Sequence, residues 1–158
     1  MSYVHDFLKN ADIAYEVHDH PAVFTVEEAA RHRSDIVYGE CKNLFLRNKK
    51  GNKHFLVTIS GDKNLDLDAL GDLLGEKIGF ASKERLVQYL GLTRGAVSPF
   101  GLINDREHQV QFILDKELLK NAKLGFHPNV NTQTLIITSG DLLRFLEQTG
   151  HVPRIEVL

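Results

Sequence analysis

Lys42-Asn43-Leu44-Phe45-Leu46-Arg47 leads through Lys49-Lys50-Gly51-Asn52 to His54-Phe55-Leu56-Val57-Thr58-Ile59. Two β-rich runs separated by a short polar segment with a glycine predict antiparallel strands joined by a turn. Side chains alternate across a strand, so Lys42 shares a face with Leu44 and Leu46, while Cys41 points the other way. If that face is the core, a lysine there is costly unless it lines a pocket or finds a partner. The alternative is snorkelling, with the stem packed and the ammonium in water.

Working outward, residues 2–10 carry Val4, Phe7 and Leu8 on one helical stripe. Ala14 to His18 alternates as a strand, ended by His20-Pro21. Thr25-Val26-Glu27-Glu28 is a capping box that predicts a helix through Ala29, Ala30 and Arg31. Leu65, Leu67, Leu70, Leu73 and Leu74 recur at helical spacing up to Gly75. Ser82 caps a helix through Leu86 and Leu90, ending at Gly91. Gly95 to Asn104 is a loop rich in glycine and proline that is also apolar, with Val97, Phe100, Leu102 and Ile103, so it should pack. Val110, Phe112 and Leu114 predict a strand, as does Thr134 to Thr138. Ser139-Gly140-Asp141 starts a helix stopped at Gly150, and Ile155 to Leu158 is a last edge strand. The elements interleave irregularly, which predicts one α/β domain over residues 1–158 with a mixed sheet, not a doubly wound one.

Composition bounds the function. Hydrophobic residues make up 42% and charged residues 25% of 158, ordinary for a water-soluble domain with one core. No apolar run is long enough to span a bilayer. Met1 to Asp6 lacks the basic and apolar regions of a signal peptide, so the expectation is a cytoplasmic protein without membrane contact. A net charge of -2 argues against nonspecific coating of nucleic acid, but not against a local grip on one RNA end. Arg47, Lys49, Lys50 and Lys53, with Lys77, Lys83 and Arg85, are candidates for such a patch; each is otherwise a solvated surface charge.

P-loop, GxGxxG and Gly-x-Ser-x-Gly signatures are missing, so no nucleotide cofactor is expected. His18 and His20 would share one strand face, but a lone pair falls short of a metal site. Cys41 beside a lysine invites a nucleophile reading; its position on the opposite strand face favours a buried inert thiol. Gly95-Ala96-Val97-Ser98-Pro99 could present backbone N–H groups to a carbonyl or phosphate, or could be an ordinary turn. His127, in Phe126-His127-Pro128-Asn129, could move protons near neutral pH or cap a turn.

The segments Lys42-Asn43-Leu44-Phe45-Leu46, Gly95-x-x-x-Pro99 with Phe100-Gly101-Leu102, Asn104-Asp105 and Phe126-His127-Pro128-Asn129 occur in the order of a known family. Over nearly its whole length the chain resembles the YbaK-like superfamily of prolyl-tRNA editing domains. Its free-standing, prolyl-tRNA synthetase-associated branch, which deacylates alanyl-tRNA(Pro), is the nearest in pattern.

The resemblance implies a mixed, partly barrel-like sheet flanked by helices. It implies that Lys42 holds the 3′-terminal adenosine and ester, with Asn43 beside it. It implies that Gly95 and the loop through Ala96, Val97, Ser98, Pro99 and Asn104 meet the aminoacyl end, and that His127 belongs to the amino acid pocket. Arg47 and Lys77 would face the acceptor stem. No metal or cofactor is implied, the ribose 2′-hydroxyl helping to activate the attacking water. The implied partners are mischarged tRNA(Pro) and, transiently, prolyl-tRNA synthetase. Competing expectations are a deacylase of the same fold for cysteinyl-tRNA(Pro) or another small residue, a noncatalytic tRNA- or synthetase-binding module, and a metal-dependent hydrolase using His18 and His20.

Overall fold

The computed structural model describes residues 2–19, 38–127 and 132–158. The capping box at Thr25 and its helix lie outside them, as do His20-Pro21 and Pro128 to Asn131.

The opening pair of runs forms as expected. Strand β2 (Gly39–Asn48) pairs antiparallel with β3 (His54–Ser60), Lys42 opposite Ile59 and Leu44 opposite Val57. Asn48 closes the turn, its Oδ1 accepting from the backbone N–H groups of Asn52 and Lys53, each at 3.0 Å. Gly51 supplies the left-handed residue at φ +73°.

Around this hairpin stand α1 (Ser2–Asn10), β1 (Glu16–Asp19), α2 (Leu67–Leu74), β4 (Ile78–Phe80) and α3 (Lys83–Leu90). The chain continues through β5 (Val110–Asp115), β6 (Lys123–Phe126), β7 (Gln133–Thr138), α4 (Ser139–Thr149) and β8 (Arg154–Glu156). The glycine-proline loop is more regular than its composition suggests, since Pro99–Asn104 winds as a 3-10 helix. Its first residue is proline, whose fixed φ suits a helical start. The α2 and α3 ends are as read: Asp66 and Ser82 cap the starts, Gly75 and Gly91 the stops. For α4 the cap is Thr138, one residue earlier than expected, whose Oγ1 accepts from Asp141 N–H at 3.0 Å.

The eight strands form one mixed sheet in the order β1-β7-β6-β2-β3-β5-β8, with β4 also on β2. Pairings β2–β6, β3–β5 and β5–β8 are parallel and the rest antiparallel. Both faces of the central strands are covered, which is why β3 is buried without a break from His54 to Ile59. Phe45, Leu56 and Phe112 join one core with residues of α1, α3 and α4, including Phe145. Leu46, Phe55, Val57 and Ile113 join a second core with Leu70 of α2.

One feature of β2 positions the site. Strand β3 runs along one side of it from Cys41 to Arg47. On the other side, β6 pairs only with Gly39 and Glu40, and β4 only with Leu46 to Asn48. Among the described residues the sheet therefore forks beside Cys41 to Phe45. Gly125 lets the upper prong close in, since a Cβ there would stand 2.5 Å from the Tyr38 ring.

Candidate functional site

A cleft of about 410 Å³ opens beside the fork. Strand β2 contributes Asn43 and Phe45, and the loop before the 3-10 helix contributes Arg94, Gly95 and Val97. Phe80 and the start of α3, Ser82 and Lys83, complete it.

Asn43 is oriented from behind. The Thr58 hydroxyl, on the paired position of β3 and fully buried, donates to Asn43 Oδ1 at 2.6 Å. That bond uses the acceptor end of the carboxamide and leaves its NH₂ donors for whatever enters. Gly95 sits at φ +85°, a conformation that a Cβ disfavours. The loop around it is pinned. Ala96, Ser98 and Pro99 are buried, and Ser98 Oγ accepts from Phe100 N–H at 3.2 Å. Phe100 then packs edge-on against Phe126 and Phe145, at centroid distances of 5.9 and 5.1 Å. Emptying that position by Phe100→Ala costs about 3–5 kcal/mol.

Behind Phe45 the support is aromatic and cationic. His54 lies 3.9 Å from the Tyr89 ring and stacks on Phe45. Its Nε2 is 2.9 Å from Arg85 Nη1, which also donates to the Gly51 carbonyl at 3.0 Å. Burial holds the His54 pKa below its ordinary value, and the Arg85 and Arg47 guanidinium groups add to the effect. A neutral ring accepting from Arg85 is the consistent state. Arg85 is thereby a tie between α3 and the β2–β3 turn, and Lys53 is paired with Glu76 at 3.0 Å.

Lys42 does share its side of β2 with Leu44 and Leu46, as its spacing indicates, and it is not among the residues that line the cleft with Gly95. The Lys42 ammonium donates to the Lys63 carbonyl at 2.7 Å and to Asn64 Oδ1 at 3.4 Å, which accounts for two of its three N–H groups. It lies on the forked stretch of β2 all the same, one residue from Asn43. His127 follows the end of β6, where its Nδ1 donates to the Gln133 carbonyl at 3.1 Å and makes Nε2 an acceptor in the neutral ring. Its neighbour Phe126 contacts Phe100, so the His127 turn and the Gly95 loop share one core.

Asn104 lies at the end of the 3-10 helix, where its Nδ2 donates to the Leu90 carbonyl at 2.8 Å and closes the end of α3. Cys41 is set aside on chemistry as well as direction: burial pushes its thiol far above the usual range, and the Glu40 carboxylate pushes it further. For the His18 pair, His20 lies outside the described residues, and no cluster of three metal-ligating side chains occurs among those described.

Arg47 and Lys77 do come together. With Lys49 they line a groove of about 300 Å³ in which the Lys49 N–H meets the Lys77 carbonyl at 2.9 Å. Phe80 borders both this groove and the cleft. Arg94 and Phe80 escaped the sequence reading, and Lys83, there a candidate for the basic patch, lines the cleft instead. Arg94 carried a usable signal, a cation directly before the key glycine, whereas Ile78–Phe80 is too short to show alternation.

The sequence model of the aminoacyl-tRNA editing domain matches residues 20–145, from before β2 to within α4. The chain belongs to that family. Among curated proteins it is 39% identical over 145 residues to the prolyl-tRNA editing protein ProX of Acetoanaerobium sticklandii, covering 91% of this chain and 88% of that one. It is 40% identical over 153 residues to prolyl-tRNA synthetase associated domain-containing protein 1 of Danio rerio, covering 95% and 83%. A crystal structure described as a candidate trans-editing enzyme for prolyl tRNA synthetase superposes with a TM-score of 0.78. It shares 23% identity, with 99% of this chain and 94% of that one covered, and so shows the editing-domain fold. Among the described residues no helix is long and apolar enough to cross a membrane.

Proposed function

We propose that the protein is a trans-editing deacylase that hydrolyses the ester of mischarged tRNA(Pro), with alanine as the amino acid removed. The observation that carries this is the forked strand. Lys42 and Asn43 sit at one opening but on its two sides, so the terminal adenosine and its acyl group can be held separately. Lys42 grips the adenosine with its remaining N–H. Asn43, the Gly95 backbone and the Arg94 guanidinium meet the ester.

An aminoacyl ester is already activated, so the site needs to orient it and a water and to stabilise the oxyanion. Water oxygen adds to the acyl carbon, the bond to the ribose oxygen breaks, and that oxygen takes a proton. Alanine and tRNA leave. The Ser82 hydroxyl is already committed as a helix cap, accepting from Arg85 N–H at 3.2 Å, so no protein nucleophile is invoked. Arg47 and Lys77 hold phosphates of the acceptor stem, and His127 shapes the far wall of the amino acid pocket. A transient association with prolyl-tRNA synthetase would shorten the search for newly released substrate.

A pocket shaped for proline cannot strongly reject a smaller amino acid, because missing methylenes are worth about 1–3 kcal/mol each. A second site too tight for proline restores accuracy. The test is to incubate the protein with tRNA(Pro) charged separately with alanine, cysteine, serine and proline, with and without chelator. Alanine should be lost fastest, proline spared and chelator inert. Faster loss of cysteine would reassign the substrate, and binding without turnover would make the protein a tRNA-binding module.

A further inference from the structure

Phe80 is 63% exposed, the most exposed aromatic among the large hydrophobics at the surface. It is the last residue of β4, paired opposite Leu46 at the prong of the fork. Leaving a benzyl side chain in water forfeits about 2 kcal/mol of burial, so its position calls for a partner. Two neighbours say which kind. On one side is the groove of Arg47, Lys49 and Lys77, three cations suited to a phosphate backbone. On the other is the ester cleft of Asn43 and Gly95.

We infer that the Phe80 ring is a stacking platform for the unpaired base immediately before the esterified adenosine. This rests on the deacylase reading for the identity of the RNA. A strand with phosphates in the groove and its acylated end in the cleft must cross Phe80. Between a paired stem and a terminal adenosine, what crosses is single-stranded. Proteins hold unpaired bases by stacking them on aromatic faces, which is tolerant of sequence because every base has a π-face. An aliphatic residue would cover the same area without that face. Phe80 thus sets the register: it counts one nucleotide back from the ester, so that the acyl group and no other atom reaches Gly95.

The test is a binding cycle on the full chain, independent of hydrolysis. The probe is an uncharged acceptor-stem RNA carrying the single-stranded 3′ end, with either an intact or an abasic nucleotide before the terminal adenosine. Wild type should bind the abasic RNA about tenfold more weakly. Phe80→Ala should bind the intact RNA about tenfold more weakly and be indifferent to the abasic change. Phe80→Trp should restore both affinity and base dependence, while Phe80→Leu should restore neither. Thermal melting of each variant checks that the exposed substitution leaves the fold unchanged. Additive losses from Phe80→Ala and the abasic nucleotide would overturn the inference, as would full rescue by leucine. Coupled losses in a protein that hydrolyses no charged tRNA would uphold the platform and sink the deacylase reading alone.

Discussion

The two faces of β2 are built from alternate residues of one strand and do opposite things. On one face Lys42 is followed by Leu44 and Leu46, which pack with Leu70 of α2, Leu46 fully buried and Leu44 reaching the edge of the cleft. On the other, Asn43 and Phe45 open onto the cleft, steadied by Thr58 and His54 from β3. The sealed face offers a single charge whose bonds go to a carbonyl and an amide. The open face offers polar groups arranged by buried partners. In the proposed function, period-two alternation is what would separate a clamp from a reaction chamber across one backbone.

Removing the clamp should break this division most severely. Lys42→Ala should lower kcat/KM on alanyl-tRNA(Pro) about 100-fold with melting unchanged within a few degrees. An unchanged rate would mean that the sealed face has no part in the reaction. Gly95→Val attacks the open face alone. A β-branched residue at φ +85° should cost about 1–2 kcal/mol of stability and lower kcat about 30-fold, measured by single-turnover hydrolysis. A fall in stability without a fall in kcat would remove the Gly95 backbone from the mechanism.

The smallest effect concerns acid. His54 has its folded pKa held below the ordinary 6.5. Its contribution is complete above that pH and is lost as the pH falls below it, because the unfolded chain then binds the proton more readily. Tm should therefore drop by a few degrees from pH 7 to pH 5, and the drop should be shallower in His54→Gln. Equal slopes would show that the support behind Phe45 does not titrate.

Local signals made much of this readable. The β2–β3 hairpin, the leucine spacing of α2 and the glycine stops at 75, 91 and 150 each depend on neighbours in sequence, where propensity and capping act. The direction of Lys42 followed from parity alone. The fork did not, because it depends on which distant strands reach β2 and how far along it. Strand β6 hid in what reads as a run up to a turn, and β4 is too short for any period. The bond from Asn104 to the Leu90 carbonyl was hidden as the fork was, because it joins the 3-10 helix to the end of α3 across fourteen residues. Arg94 was passed over although it stands directly before Gly95, because an exposed arginine belongs to no periodic pattern.

The parallel pairing of Gly39 and Glu40 with Leu124 and Gly125 also fixes when the site can exist. Contacts between segments so far apart in the chain close late in folding, since loop entropy must be overcome first. The upper prong depends on β6, and β6 leaves the ribosome long after β2. A nascent or truncated chain can therefore hold Lys42 and Asn43 on a formed hairpin and still have no opening between them. The fork is complete only once the last third of the sequence has joined the sheet.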